Sequence, residues 1–125
     1  MQVLQFQPME KIKVDQDRLG ALYAQLGEAS AEDVVCRAME ELALRLSHCE
    51  ALFREGAWAT LRKNTRSLIA IADQVGMSAL SQVAADVTRC IDNGDTVAVA
   101  ATLSRLLRVG ERSLTAVWDI PDFQM

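Results

Sequence analysis

Apolar residues recur along most of this chain at alternating steps of three and four, the spacing of an amphipathic helix with one buried face. Over residues 15–26, Leu19, Leu22, Tyr23 and Leu26 share one side and Gly27 follows, which predicts a short helix with a glycine stop. A long helix is predicted next. Ser30 reads as its N-cap, and Glu32 and Asp33 sit in the first turn, where the helix dipole favours negative charge. Its seam is Val35, Met39, Leu42, Leu46, Cys49 and Phe53, and Gly56 ends it. A third helix is expected over 57–75, with Leu61, Thr65, Leu68, Ala72 and Val75 inward and Gly76 closing it. Ser78 then reads as the cap of a helix that turns Leu80, Val83, Val87 and Ile91 inward. "DNGD", residues 92–95, is a turn signal. The last helix is expected over 96–118, with Val99, Leu103, Leu106, Gly110, Leu114 and Val117 as its seam and Pro121 beyond it.

Four long amphipathic helices with short connections predict an all-α fold, an antiparallel up-and-down four-helix bundle. The short N-terminal helix is expected to cover one end. Residues 1–14 differ: Val3, Gln5 and Gln7 alternate loosely with Leu4 and Phe6 until Pro8 interrupts, which predicts an extended arm, a strand or a hairpin. Residues 15–125 are expected to form a single domain, without internal repeats.

Composition narrows the functional classes. With 125 residues, half of them hydrophobic, the chain can form a core without disulfides or metal. Its formal charge of −4 argues against a nucleic-acid partner, which requires a clustered positive patch. No run of about twenty apolar residues predicts a membrane span. The first residues lack a basic stretch followed by an apolar one, so a cytoplasmic location is expected. Cys36, Cys49 and Cys90 are widely spaced within apolar patterns and read as small buried hydrophobes, not metal ligands. No glycine-rich phosphate loop or Ser-His-Asp arrangement occurs, and adjacent Glu40 and Glu41 point in different directions on a helix. With His48 as the single histidine, the expectation is a non-enzyme that uses no cofactor and no metal.

One stretch carries more than a packing pattern. In "WATLRKNTRSLIAIADQVGM", Trp58, Leu61, Leu68, Ala72 and Gly76 fall at the spacing of the histidine phosphotransfer (HPt) family, and "ALSQVAADVTRCIDNGD" resembles the helix and turn that follow. The resemblance covers roughly residues 31–118. HPt domains are four-helix bundles that relay phosphate between receiver domains, through a helix motif of the form His-x-Leu-Lys-Gly-x-Ala-x-x-x-Gly. Here Arg66 stands at the phosphoacceptor histidine, Ile69 at the lysine and Ala70 at the glycine. A guanidinium stays protonated and is a poor nucleophile. The resemblance therefore implies a bacterial two-component signalling protein that has lost its chemistry. Such a protein would dock the receiver domain of a response regulator, or a histidine kinase, and modulate signalling without passing phosphate.

The implied docking face is Arg62, Arg66, Ile69 and Asp73 on one outward side of the third helix, with Lys63 and Ala70 beside them. Ile69 and Ala70 would form its apolar centre and Arg62, Lys63 and Arg66 a basic rim. Arg66 would enter the acidic pocket of a receiver as a charged plug. Two other readings stay open. In one, the chain is a helical-bundle assembly or adaptor protein, a homo-oligomer built through Leu44, Leu107, Trp118 and the N-terminal arm. In the other, it is an active relay that uses His48, a residue expected on a partly polar strip with Arg37, Glu41, Leu44, Ala51 and Glu55.

Overall fold

The computed structural model describes residues 14–118, which form five helices and no strand. These are α1 (Gln16–Leu26), α2 (Glu28–Arg54), α3 (Trp58–Gln74), α4 (Ser78–Asp92) and α5 (Thr96–Trp118). The expected arm over residues 1–13, and Pro121, lie outside the described residues. Val14, the last position of that arm, packs half-buried against the core.

The helices arise where periodicity places them, and the seams become the core. α2 packs on α3 and on α5, α3 packs on α4, and α4 packs on α5, so contacts run in a closed ring; α1 lies against α2. All five expected α3 seam positions, Leu61, Thr65, Leu68, Ala72 and Val75, are buried. In α2, Val35, Leu42, Leu46 and Cys49 are buried, while Met39 and Phe53 pack half-buried at the margin. Leu80, Val83 and Val87 of α4 are buried and Ile91 is half-buried. In α5, Val99, Leu103, Leu106 and Val117 are buried, and Leu114 is half-buried. A Cβ at Gly110 would stand 2.6 Å from Leu46 Cδ1, so the Leu46 side chain packs over the glycine where α5 meets α2. Among the described residues no helix is long and apolar enough to cross a membrane.

Several helix starts differ from expectation, for local reasons. Gly27 both ends α1 and begins α2: its N–H donates to the Tyr23 carbonyl at 2.8 Å, and its own carbonyl accepts from Ala31 N at 2.9 Å. No loop remains between the two helices, so Ser30 falls inside the first turn of α2 instead of capping it. Ser78 is likewise the first residue of α4, preceded by buried Met77, whose N–H returns to the Ala72 carbonyl at 2.9 Å. The side-chain caps that do form are Asp15, which accepts from Arg18 N at 3.1 Å, and Asp95, which accepts from Ala98 N at 3.0 Å. Leu26, expected on the buried side of α1, is exposed because it ends the helix beside Gly27, a turn beyond half-buried Leu22 and Tyr23 and two turns beyond buried Leu19.

α1 is pinned at its start. Asp15 N donates to the Gly76 carbonyl at 2.7 Å, and Arg18 Nε donates to the Asp73 carbonyl at 3.1 Å. Both acceptors lie where α3 gives way to α4. Gly76 adopts φ +78°, and a Cβ there would meet the Asp15 carbonyl oxygen at 2.6 Å. The glycine is required twice, by the left-handed turn and by the backbone crossing it.

Candidate functional site

The middle of α3 decides what this surface can do. Positions 62, 66, 69 and 73 do follow one stripe, as the spacing implies. The stripe, however, runs along the border between α3 and α4 and not down the centre of the solvent face. Its members are held in different ways.

Arg62 is committed. Its Nε and Nη2 reach Asp92 Oδ1 and Oδ2 at 2.5 and 3.1 Å, a two-pronged pair across to the last residue of α4. A carboxylate at a helix C-terminus opposes the helix dipole, and Arg62 offsets that. The hydrogen bonds from Arg62 hold the Asp92 carboxyl below its ordinary range, and the nearby charge of Arg66 lowers it further. Arg62 is thus a clamp between α3 and α4, not a free member of a basic rim.

Ile69 is also corrected. The expected isoleucine among charges is half-buried and packs against the core cluster. It lies one turn beyond Thr65, on the side that α4 covers. Ile69 is therefore mostly a packing residue, and the apolar centre of the outer face falls to Ala70 alone, which is exposed. Asp73 is exposed too, and its main-chain carbonyl is the acceptor for Arg18 of α1.

Arg66 and Lys63 are the cations left over. Both are exposed, and neither is hydrogen-bonded to or within ion-pair distance of another described residue. Lys63 sits on the other flank of the helix, where it joins His48, Arg45 and Asn64 in a groove between α2 and α3. His48 is exposed, on the strip that the spacing assigns it. Trp58 closes the turn between α2 and α3, with its ring edge-on to Phe53 at a centroid distance of 5.5 Å.

Beneath this surface lie two polar bridges. Asn64 is only 7 % exposed, and its Nδ2 donates to the Arg45 carbonyl at 2.8 Å and to Cys49 Sγ at 3.3 Å. In return Arg45 donates from Nη1 to Asn64 Oδ1 at 3.2 Å and from Nε to Glu41 Oε1 at 2.8 Å. Burial pushes the Cys49 thiol up to about 11, opposed in part by the Asn64 hydrogen bond. The second bridge joins α3 to α4: Thr65 and Thr88 hydroxyls meet at 2.8 Å, and each also lies within reach of a carbonyl of its own helix. Two hydroxyl protons serve three contacts, so one threonine donates to the other and the acceptor's proton goes to its helix carbonyl.

The sequence expectations gave Asn64 and Arg45 no bridging role. The signal was present: Asn64 lies three residues after Leu61 and four before Leu68, which places it at the edge of the buried seam. A polar residue at such a position either faces a neighbouring helix or is mispredicted, and here it faces α2.

Chemically, this region offers cations and hydrogen-bond donors without an activated nucleophile. Arg66 carries no transferable lone pair. Among the described residues no group of three or more His, Cys, Asp or Glu side chains is placed to hold a metal ion. Searches with this chain found no matching family model, no matching curated protein and no matching solved structure.

Proposed function

We propose that the chain is a phosphotransfer-incompetent relative of the HPt domains. In this reading α2 to α5 are its antiparallel up-and-down four-helix bundle, with α1 across one end. It docks the receiver domain of a response regulator, or a histidine kinase, in a bacterial cytoplasm, and modulates signalling without relaying phosphate.

The observation that carries this reading is Arg66. At the position that corresponds to the phosphoacceptor, α3 presents an exposed guanidinium with no hydrogen bond to a described residue. Small Ala70 lies one turn further on, and Lys63 just under one turn before it. An exposed, unspent arginine beside a small residue suits insertion into an acidic pocket, because a guanidinium forms two parallel hydrogen bonds with a carboxylate. The docking face is narrower than the six residues implied by the resemblance. Arg66, Lys63, Ala70 and Asp73 present side chains outward, whereas Arg62 and Ile69 shape the face from its α4 edge.

The test is a titration of the full chain against receiver domains of its own organism. Saturable binding to one or two receivers is expected, and Arg66→Glu should abolish it. Unchanged affinity in that variant would sink the plug. Intact mass after incubation with a phosphorylated receiver addresses relay through His48, and no acid-labile gain is expected.

Self-assembly is a second reading, favoured by one observation: Leu44 is 53 % exposed in mid-helix. Leu107, by contrast, is half-buried against the core, and the Trp118 side chain lies outside the described residues. A mass that rises with concentration in light scattering would support this reading.

A further inference from the structure

We propose that the groove between α2 and α3 binds a small amphiphilic monoanion, a carboxylate carried on a short apolar chain. The groove is open to solvent and offers about 350 Å³, at the low end of the roughly 300–1,000 Å³ of ordinary ligand sites. Ala51 and Leu52 line it, together with Lys63 and Arg45, and the alkyl stems of such residues bury readily against an apolar ligand while their charged heads stay hydrated.

The polar groups in the lining favour one negative charge. Lys63 has no partner among the described residues, so its three N–H donors are unspent. Arg45 is held from two sides, by Glu41 and by Asn64, which leaves three of its five N–H groups in a fixed position. A guanidinium fixed in this way loses little freedom when it binds. His48 and Thr60 add further hydrogen-bonding groups to the same lining. Thr60 belongs to the first turn of α3, which has no capping side chain and no acidic residue, so the positive end of that helix dipole is uncompensated there.

On the negative side, Glu41 is occupied by Arg45, and Glu55 is the carboxylate within the lining. The formal charges of Arg45, Lys63, Glu41 and Glu55 cancel. The helix dipole and the excess of donors over acceptors then tip the groove toward a single negative charge, and a dianion is not matched. This inference concerns a small molecule and stands apart from receiver docking, although Lys63 contributes to both surfaces.

The experiment is a calorimetric and amide-resonance titration of the full chain with sodium octanoate. One saturable site is expected, with shifts concentrated at His48, Ala51, Leu52, Thr60, Lys63 and Asn64. Neutral octanamide should bind about tenfold more weakly, and acetate, which lacks the tail, should not saturate. Lys63→Met should weaken octanoate about tenfold; its side chain is exposed, so the fold survives the change, and a thermal melt checks this. Glu55→Gln should leave octanoate binding equal or tighter. Equal binding of octanamide would overturn the proposal in favour of a merely apolar groove. Weaker octanoate binding in Glu55→Gln would overturn it as well, since the carboxylate would then be serving the ligand. Absent saturation, or shifts centred on the exposed apolar residues Leu44 of α2 and Val97 of α5, would also overturn it.

Discussion

Gly76→Ala separates the two demands placed on one residue. The first is conformational. At φ +78° a side chain is disfavoured, by roughly 1–2 kcal/mol for a left-handed non-glycine residue. The second is steric. The new Cβ would lie 2.6 Å from the Asp15 carbonyl oxygen, 3.2 Å from its Cβ and 3.3 Å from its carbonyl carbon. These are backbone and near-backbone atoms, which cannot rotate away as a leucine methyl can. To reach an ordinary 3.4 Å contact the start of α1 must retreat by about 0.8 Å, the difference from 2.6 Å. That retreat breaks the 2.7 Å bond from Asp15 N to the Gly76 carbonyl, a net loss of about 0.5–1.5 kcal/mol. It also strains the bond from Arg18 to the Asp73 carbonyl. The total expected is about 1.5–3.5 kcal/mol, and its steric part is capped by what α1 docking contributes, chiefly the burial of Leu19.

Gly94→Ala is the control. Gly94 has a similar φ of +68°, but a Cβ there meets nothing within 4 Å. It isolates the conformational part, about 1–2 kcal/mol. Urea unfolding of both variants and the native chain gives the two costs, and amide exchange across α1 locates the difference. Gly76→Ala should lose more stability than Gly94→Ala, and α1 amides should exchange faster only in the former. Equal losses, with α1 protection unchanged, would refute the crossing contact as the reason for glycine at position 76.

The remaining predictions concern the polar bridges and the clamp. Asn64→Ala removes the side chain that ties α2 to α3 and should cost about 1–3 kcal/mol in urea unfolding; a loss under about 0.5 kcal/mol would mean that the bridge is incidental. Asp92, held below its ordinary carboxyl range by Arg62, contributes stability that is full above the unfolded-state value near 3.8 and is lost as pH falls through the lower folded value. The stability gap between the native chain and Asp92→Asn should therefore shrink between about pH 6 and pH 2.5, and a constant gap would contradict the clamp. Cys36 is exposed and Cys49 buried, so alkylation followed by peptide mass analysis should mark Cys36 first and Cys49 only on unfolding. The Cys49 thiol titrates higher folded, at about 11, than unfolded, at 9.0, so its contribution is present below pH 9 and fades as pH rises toward 11. Cys49→Ala should flatten that alkaline limb of the stability profile.

What the amino-acid order determined by itself is the set of helices and most of their inward faces. That information is local: apolar residues three and four apart share a face whatever the helix packs against, and glycine turns interrupt it. The α3 seam from Leu61 to Val75 was legible in full for this reason, as were the exposed positions of Arg66, Lys63 and Ala70 nearly opposite it. Helix starts were less legible. Whether Ser30 or Ser78 caps a helix depends on how the preceding turn delivers the chain, and Gly27 and Met77 took that place.

What only the tertiary structure decided lies at the flanks of each helix. A helical wheel shows which side is opposite the seam, but not how far round the neighbouring helices reach. Ile69 is drawn half-buried against the core, and α4 brings Asp92, thirty residues along the chain, onto Arg62. α2 reaches Asn64 and turns a polar residue at the seam's edge into a buried bridge to Arg45 and Cys49. Six residues that the resemblance groups into one docking face thus divide into a clamp, a packing residue and an exposed remainder. Charge and periodicity travel with the residue, whereas a side chain's partner, and hence its freedom to meet a ligand, is set by distances between segments that the linear order does not contain.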